Sequence, residues 1–312
     1  MMRSKEEWKM IILFYLLMCL IFGTTFLAIK IGVDAGIPPF FGAGLRFFSA
    51  GFLLFLFMMW KEKVSLSILF KKELFFTGIG LTFGTFATLY WAEQYVSSGI
   101  AAVLSATGPM MILILSTLIL KQKATYSSMI GCIIGMVGVI LLILPSISLS
   151  MKSFWILGCL AIILGEVFYA SGTLYTRQVK DKVTASPLVL NAVQMMHGGL
   201  LLFLLSLVTE KVDPAPLMQS ASIGSLLYLI LIGSMVGHSL YYWLVTKTDP
   251  VFPSTWLYIS PLIAVGVGIT FYQEEITWYT GIGALTIFIG TILVNYPALH
   301  SLVVKKVISQ KG

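Results

Sequence analysis

At 312 residues, 58% apolar and only 11% charged, with a mean hydropathy of +0.96, the chain has less than half the charge of an ordinary soluble domain. No polar stretch is long enough for a water-soluble domain, so nearly all of it is expected in a membrane-spanning bundle. The net charge of +7 does not indicate nucleic acid, because Lys and Arg stand singly or in pairs between apolar runs, where they report topology.

A helix needs about 20 mostly apolar residues to cross the hydrocarbon core. Ten stretches qualify in chain order: 10–31, 39–60, 74–95, 99–120, 127–145, 154–176, 186–208, 222–246, 252–272 and 279–298. Polar or proline-containing breaks separate them, such as Gly36-Ile37-Pro38-Pro39, Lys71-Lys72-Glu73 and Asp213-Pro214-Ala215-Pro216. The first run follows Arg3, Lys5 and Lys9 but is too long for a signal h-region and lacks a small-residue cleavage site, so it reads as the first span. Cys19, Cys132 and Cys159 fall singly within apolar runs, with no CxxC pair or neighbouring His, and read as small core residues; no metal or other cofactor is expected.

Placing the N-terminus inside gathers Arg3/Lys5/Lys9, Lys61 to Lys72, Lys121/Lys123, Arg177/Lys180/Lys182, Lys247 and Lys305/Lys306/Lys311 on one face. It leaves Lys30, Lys152 and Lys211 on the other, with Arg46 inside a span. The positive-inside rule therefore predicts both termini cytoplasmic, in the plasma membrane. The basic tail 299–312 is expected to rest on the anionic inner leaflet.

The chain writes one stretch twice. Tyr90-Trp91, Pro109, Thr125, Gly131 and Gly138 recur without a gap 152 residues later as Tyr242-Trp243, Pro261, Thr277, Gly283 and Gly290. A dipeptide, a mid-run proline and two glycines in one register far outweigh chance matches of Leu and Ile. Two units of five spans follow, 10–145 and 154–298. An odd span number inverts the second unit relative to the first, and the aligned turns Lys121-Gln122-Lys123 and Gln273-Glu274-Glu275 carry opposite charge, as inversion requires. The predicted fold class is all-α integral membrane, ten transmembrane helices in two inverted repeats, an architecture typical of alternating-access carriers.

With the repeat established, the chain resembles the drug/metabolite transporter superfamily, in particular its ten-helix EamA branch. The resemblance rests on Phe22 to Lys30 in span one, Pro38-Pro39 followed by Arg46, Ala101-Ala102 through Pro109, and Gly131 to Gly138. In the second half it rests on Pro187, Gln194, Pro261, Glu274-Glu275-Ile276-Thr277, Gly283 and Gly290. Gln122 stands where the first repeat often carries the Glu seen here as Glu274, Phe22 replaces a frequent Trp, and Glu166 lies outside the pattern. The resemblance implies a central cavity lined by both halves and movement of small polar metabolites, commonly amino acids, usually outward.

Several residues could carry the work. Arg46 lies about seven residues, roughly 10 Å, from the outer face. It is either a cation for a substrate carboxylate or phosphate, or a snorkelling or ion-paired structural residue. Glu166 lies roughly 18 Å into span six by the same rise. It reads as a proton or substrate-coupling group, or as a neutral carboxyl bonded to a neighbouring helix; the two could also pair with each other. His197 and His238 read as pathway or packing residues. Gln194, at the repeat position of Arg46, and Asn191 either line the cavity or bridge helices. Tyr90-Trp91 and Tyr242-Trp243 suit interfacial belts as well as an aromatic cage, whereas Trp256 and Tyr258 lie deeper and suit the cavity. Pro109 and Pro261 remove the hydrogen bonds to the carbonyls of Ser105 and Leu257 and are expected to kink spans four and nine alike. Gly131/Gly135 and the heptad Gly158, Gly165, Gly172 read as packing surfaces, with sliding as the alternative.

No HExxH, GxSxG, P-loop or metal-spaced cluster occurs. Without a nucleotide-binding domain, uphill movement must draw on an ion or solute gradient, for which proton exchange at Glu166 is the simplest expectation. The leading expectation is an exporter of small amino acids or related metabolites; an inward or exchange permease for phosphorylated or sugar-like solutes is the alternative. A membrane-embedded lipid enzyme or structural partner fits less well. The expected partners are a small-molecule substrate and the bilayer, with no nucleic acid; monomer and homodimer both stay open.

Overall fold

The computed structural model describes residues 5–62, 64–148, 153–179, 182–248, 251–275 and 277–297. The basic tail with His300, and Lys63, Lys152, Lys180 and Ile276, lie outside the described residues. The first unit holds α1 (Lys5–Asp34), α2 (Pro39–Lys61), α3 (Lys72–Ala92), α4 (Ser98–Leu118) and α5 (Tyr126–Ser148). The second holds α6 (Ser153–Val179), α7 (Pro187–Thr209), α8 (Ser220–Lys247), α9 (Trp256–Tyr272) and α10 (Trp278–Val294). Seven of the ten are long and apolar enough to cross a membrane; the apolar parts of α5, α9 and α10 are shorter. Their outer faces carry exposed Leu13, Leu16, Phe57, Ile133, Leu157 and Leu204. Apolar surface on that scale suits lipid.

Local chemistry sets the helix ends. Pro39 and Pro187 open α2 and α7, where the missing N–H is no loss. Ser97 and Thr277 cap α4 and α10, accepting from the backbone of Ile100 and Thr280. The turns after α4 and α9 contain Lys121 and Gln273, both at φ 53°, the sole non-glycine residues with positive φ among those described. This left-handed conformation favours glycine. Its recurrence at the repeat interval, on non-glycine residues, shows the two units sharing backbone geometry.

Packing fixes how the units are related. A Cβ placed on Gly131 would sit 2.6 Å from the Gly290 carbonyl oxygen, and one on Gly138 2.9 Å from that of Gly283. Since Gly283 and Gly290 are the repeat images of Gly131 and Gly138, the contact maps onto itself when the units exchange. The same holds between α2 and α7, where Gly51 meets Met196 and Gly199 meets Phe48. Gly131 also abuts Val294, and Gly138 abuts Ile287, so α5 and α10 run antiparallel. Equivalent helices can be antiparallel only about an axis across them, in the membrane plane: the repeats are inverted.

Two features depart from straight spans. α3 and α8 each contain a π-helical stretch, Ile79–Gly84 and Tyr228–Val236, which shifts the helix face presented to the bundle. The two prolines do not act alike. In α4 the helix breaks at Ala106-Thr107 and restarts at Gly108 with Pro109 in its first turn. Pro261 instead sits inside continuous α9, and the interruption falls at Thr255, between the turn Val251–Ser254 and α9. The α4 break is stabilised across the repeat, Thr291 Oγ1 donating to the Ala106 carbonyl at 3.0 Å, as a freed backbone acceptor away from water requires.

The glycine contacts make one expectation concrete. A Cβ at Gly290 would lie 2.4 Å from the Gly135 nitrogen, whereas one at Gly281 meets nothing within 4 Å. Gly290→Val should lower the thermal midpoint of the purified protein by the equivalent of at least about 2 kcal/mol. Gly281→Ala should be neutral or raise it, by up to about 1 kcal/mol of helix propensity.

Candidate functional site

Arg46 is 2% exposed in the middle of the bundle. Its Nε donates to Ser234 Oγ at 3.0 Å and its Nη1 to the Tyr90 hydroxyl at 3.4 Å. The guanidinium carbon lies 4.6 Å and 5.4 Å from the ring centroids of Phe47 and Phe86, and these faces stabilise a cation without neutralising it. Gly233 leaves space beside Nη2: even a Cβ there would stand 3.6 Å away. Ser234 belongs to the π-helical stretch of α8, and its carbonyl meets His238 Nδ1 at 2.9 Å. Among the described residues the ion pairs are Lys9–Glu6 and Lys30–Asp34, so the Arg46–Glu166 pair left open by the sequence does not form. A guanidinium offers five donors; here two reach neutral oxygens and the full charge stays unmatched.

From Arg46 towards the N-terminal face the interior becomes aromatic and polar. His238 is edge-on to Phe22, whose ring lies 4.7 Å from that of Trp256. Glu166, 6% exposed, is within hydrogen-bonding reach of the Ser105 hydroxyl. Its Oε2 lies 2.6 Å from where a Gly108 Cβ would be; the carboxyl thus nests in the break of α4, in space that only glycine leaves. Tyr169 on α6 interacts electrostatically with Glu166, Tyr241 and Tyr242. Yet α6 and α8, both of the second unit, are not packing neighbours, so these half-exposed phenols lie within electrostatic range of one another across the space between two helices of one unit. Tyr258, also half-exposed, lies within hydrogen-bonding reach of Asn295.

The opposite face is tied shut. Glu274 accepts from the backbone N–H of Ser98 at 2.7 Å and of Gly99 at 2.9 Å, and from the Ser98 hydroxyl at 2.6 Å. Glu210 accepts from the N–H of Phe40 and Phe41 at 2.8 and 2.9 Å. Each carboxylate from one unit thus caps a helix N-terminus of the other, where free N–H groups and the helix dipole favour an anion. Tyr272 donates to Asp34, which also receives Lys30. On the N-terminal face the repeat images of these carboxylates are Gln122 and Glu62, and neither side chain makes such a cap among the described residues.

Other expected site residues go elsewhere. Gln194 accepts from Thr82 and donates to Asn191, bridging α3 and α7 in the core. His197 Nε2 meets the Leu69 carbonyl at 2.9 Å, pinning α7 to the 3₁₀ turn Leu66–Phe70. Trp91 is half-buried and edge-on to Tyr95. Its neighbour Tyr90, 3% exposed, is a partner of Arg46 and not an interfacial belt residue. Sequence reasoning missed Ser234, Ser105 and Tyr169. Serines and tyrosines are common in such spans: the π-helical offset brings Ser234 inward and the α4 break Ser105, and no local signal marks Tyr169 on the continuous α6. Among the described residues no group of three or more His, Cys, Asp or Glu could hold a metal ion.

Comparison with known proteins agrees with this architecture. The chain matches the EamA-like transporter family twice, over residues 9–144 and 156–296. It is 30% identical over 285 residues to the protein PagO of Salmonella typhimurium, covering 89% of this chain and 90% of that one. It is 29% identical to the uncharacterized inner membrane transporter YedA of Escherichia coli, covering 88% and 87%. To the uncharacterized transporter YoaV of Bacillus subtilis it is 25% identical, covering 88% and 92%. A crystal structure at 17% identity superposes with a TM-score of 0.62 over 94% of this chain and 98% of the other, which supports the fold alone. Two inverted five-helix units, an unmatched buried cation between them and a family match in each unit make this chain a member of the EamA-like transporter family.

Proposed function

We propose that this transporter exports small amino acids or related polar metabolites across the plasma membrane by alternating access, driven by proton exchange, with both termini cytoplasmic. The observation that carries the reading is Arg46: a buried guanidinium with no carboxylate in contact among the described residues, placed where the two inverted units meet. A charge at mid-span costs about 2.5–3.5 kcal/mol on insertion scales. An anionic solute group would offset that cost, and the planar fork suits a carboxylate. In the shape described, Tyr169, Tyr241, Tyr242, Trp256 and Tyr258 stay partly exposed on the side of the face rich in Lys and Arg, and the opposite face is capped shut. Under the positive-inside rule this is an inward-facing form, ready to take a solute from the cytoplasm. Reaching the other form requires release of the Glu274 and Glu210 caps while the glycine-lined α5/α10 contact serves as a pivot. Glu166, lodged in the break of α4 beside Ser105, is the proposed proton carrier, because α4 and α6 belong to different units and a charge change there bears on their contact.

The guanidinium fork suits a phosphate as well as a carboxylate, so the second reading is an inward or exchange permease for phosphorylated or sugar-like solutes. A screen of solute classes in both directions, with growth of expressing cells on toxic amino-acid analogues as the first readout, separates the two. Arg46→Gln should lower solute flux in proteoliposomes by at least tenfold, equal to about 1.4 kcal/mol, whereas Arg46→Lys keeps charge and part of the flux; equal flux in all three proteins would remove Arg46 from the pathway. Glu166→Gln should abolish gradient-driven uphill flux while sparing solute exchange, and unchanged uphill flux would exclude Glu166 as the carrier.

A further inference from the structure

Glu93 lies one residue beyond α3, at the capped face, and is fully buried at 0% exposure. Neither carboxyl oxygen has a hydrogen-bond partner among the described residues. This is unusual, because a buried carboxylate ordinarily gathers donors. Its charged surroundings come from every element nearby. Lys30 of α1 donates to the Glu93 backbone carbonyl at 2.9 Å and to Asp34 at 2.7 Å, leaving the Glu93 carboxyl itself unserved. Asp34 and Glu274 add negative charge, Arg46 of α2 positive charge, and the Tyr90 phenol lies within electrostatic reach. Glu93 thus sits where the helix ends of both units are tied together, between Arg46 and the Glu274 cap.

We propose that Glu93 is a proton-binding site that latches the capped face shut when protonated and favours its opening when ionised. An uncharged carboxyl can stay in this dry position. An ionised one, without donors and next to Asp34 and Glu274, is stabilised by water, which reaches it only if the caps part. Burial holds its carboxyl well above the ordinary carboxylate range, with Lys30 opposing that shift. Closure is therefore most favourable below the ordinary range, weakens with each pH unit between that range and the raised value, and is weakest above it. The proton taken up here enters from the capped face, opposite the face rich in Lys and Arg, as an exchanger requires. This inference rests on the alternating-access reading above but not on Glu166, which lies on the other side of Arg46.

The test needs no solute. Beneath the caps is a void of about 10 Å³ lined by Ile29, Ile37, Tyr90 and Leu229, too small for water to pass freely. In a background with the three native cysteines replaced by alanine, Leu229→Cys is labelled in proteoliposomes by a membrane-impermeant maleimide between pH 5 and 8. Rates are divided by those of Met218→Cys, 79% exposed on the same face, to remove the intrinsic pH dependence of thiol reactivity. With Glu93 present the ratio should rise at least threefold across the range, an amount well within the tenfold per pH unit that one titrating group can supply. With Glu93→Gln it should be low and flat. Glu93→Asp, which keeps a carboxyl, should keep the rise. Should the Gln variant fail to elute as a monodisperse protein, the apolar, similarly sized Glu93→Met takes its place. A wild-type ratio independent of pH, an unchanged rise in Glu93→Gln or Glu93→Met, or a flat Glu93→Asp profile each overturns the assignment. Failure of the export assays would leave this result standing, and a flat labelling profile would leave the export reading standing.

Discussion

At the crossing of α5 and α10 the two backbones approach so closely that no side chain fits between them. Lipid provides no hydrophobic drive to bring helices together, so association in a bilayer depends on such close van der Waals contact between small residues. Here the contact has a second consequence. Because Gly131 and Gly138 meet the repeat images of each other, the crossing is self-complementary, and the axis relating the two units must pass through it. α2 and α7 meet in the same reciprocal way. These two crossings are the self-matched contacts between the halves; α6 packing on α3 and α9 packing on α1 complete the seam.

An inverted repeat makes the two membrane faces geometric equivalents, so whatever distinguishes them must come from side chains. The turn geometry at Lys121 and Gln273 is the same to the degree in φ, yet one turn continues with Gln122 and the other with Glu274. Only the carboxylate is charged, and only it caps a helix N-terminus of the opposite unit. Glu62 and Glu210 are chemically identical, but Glu210 reaches the start of α2 while Glu62 is exposed at its own helix end. The capped face is therefore held by a few charge-assisted hydrogen bonds, interactions that water can replace when the halves separate. A contact of that kind suits a gate better than an apolar seam would.

Between the two faces lies an arginine surrounded by groups that tolerate a cation without cancelling it: a serine hydroxyl, a phenol and two ring faces. Its repeat image Gln194 is satisfied within the core by Thr82 and Asn191. One unit thus supplies charge and the other structural hydrogen bonds at the same position of the twofold arrangement. In the proposed alternating-access cycle, this asymmetry inside a symmetric shell lets a single site face each side in turn.

Much of this organisation was legible in the chain. Ten apolar runs, a repeat carried by Tyr-Trp, proline and glycine, and opposite charges in the aligned turns define an inverted bundle, because hydropathy and the positive-inside rule act on local sequence. Arg46 stood out for the same reason, as a charge where lipid forbids one. What tertiary structure alone decided was which polar groups meet. The π-helical stretch that turns Ser234 towards Arg46, the break that opens α4 to Glu166, the withdrawal of Gln194 and His197 into helix bridges, and the isolation of Glu93 all depend on helix-face orientation and on partners about sixty residues away or more. Hydropathy averages over a whole span and carries no information about rotation of a helix on its axis, and that rotation determines whether a side chain faces a gap, a neighbouring helix or lipid.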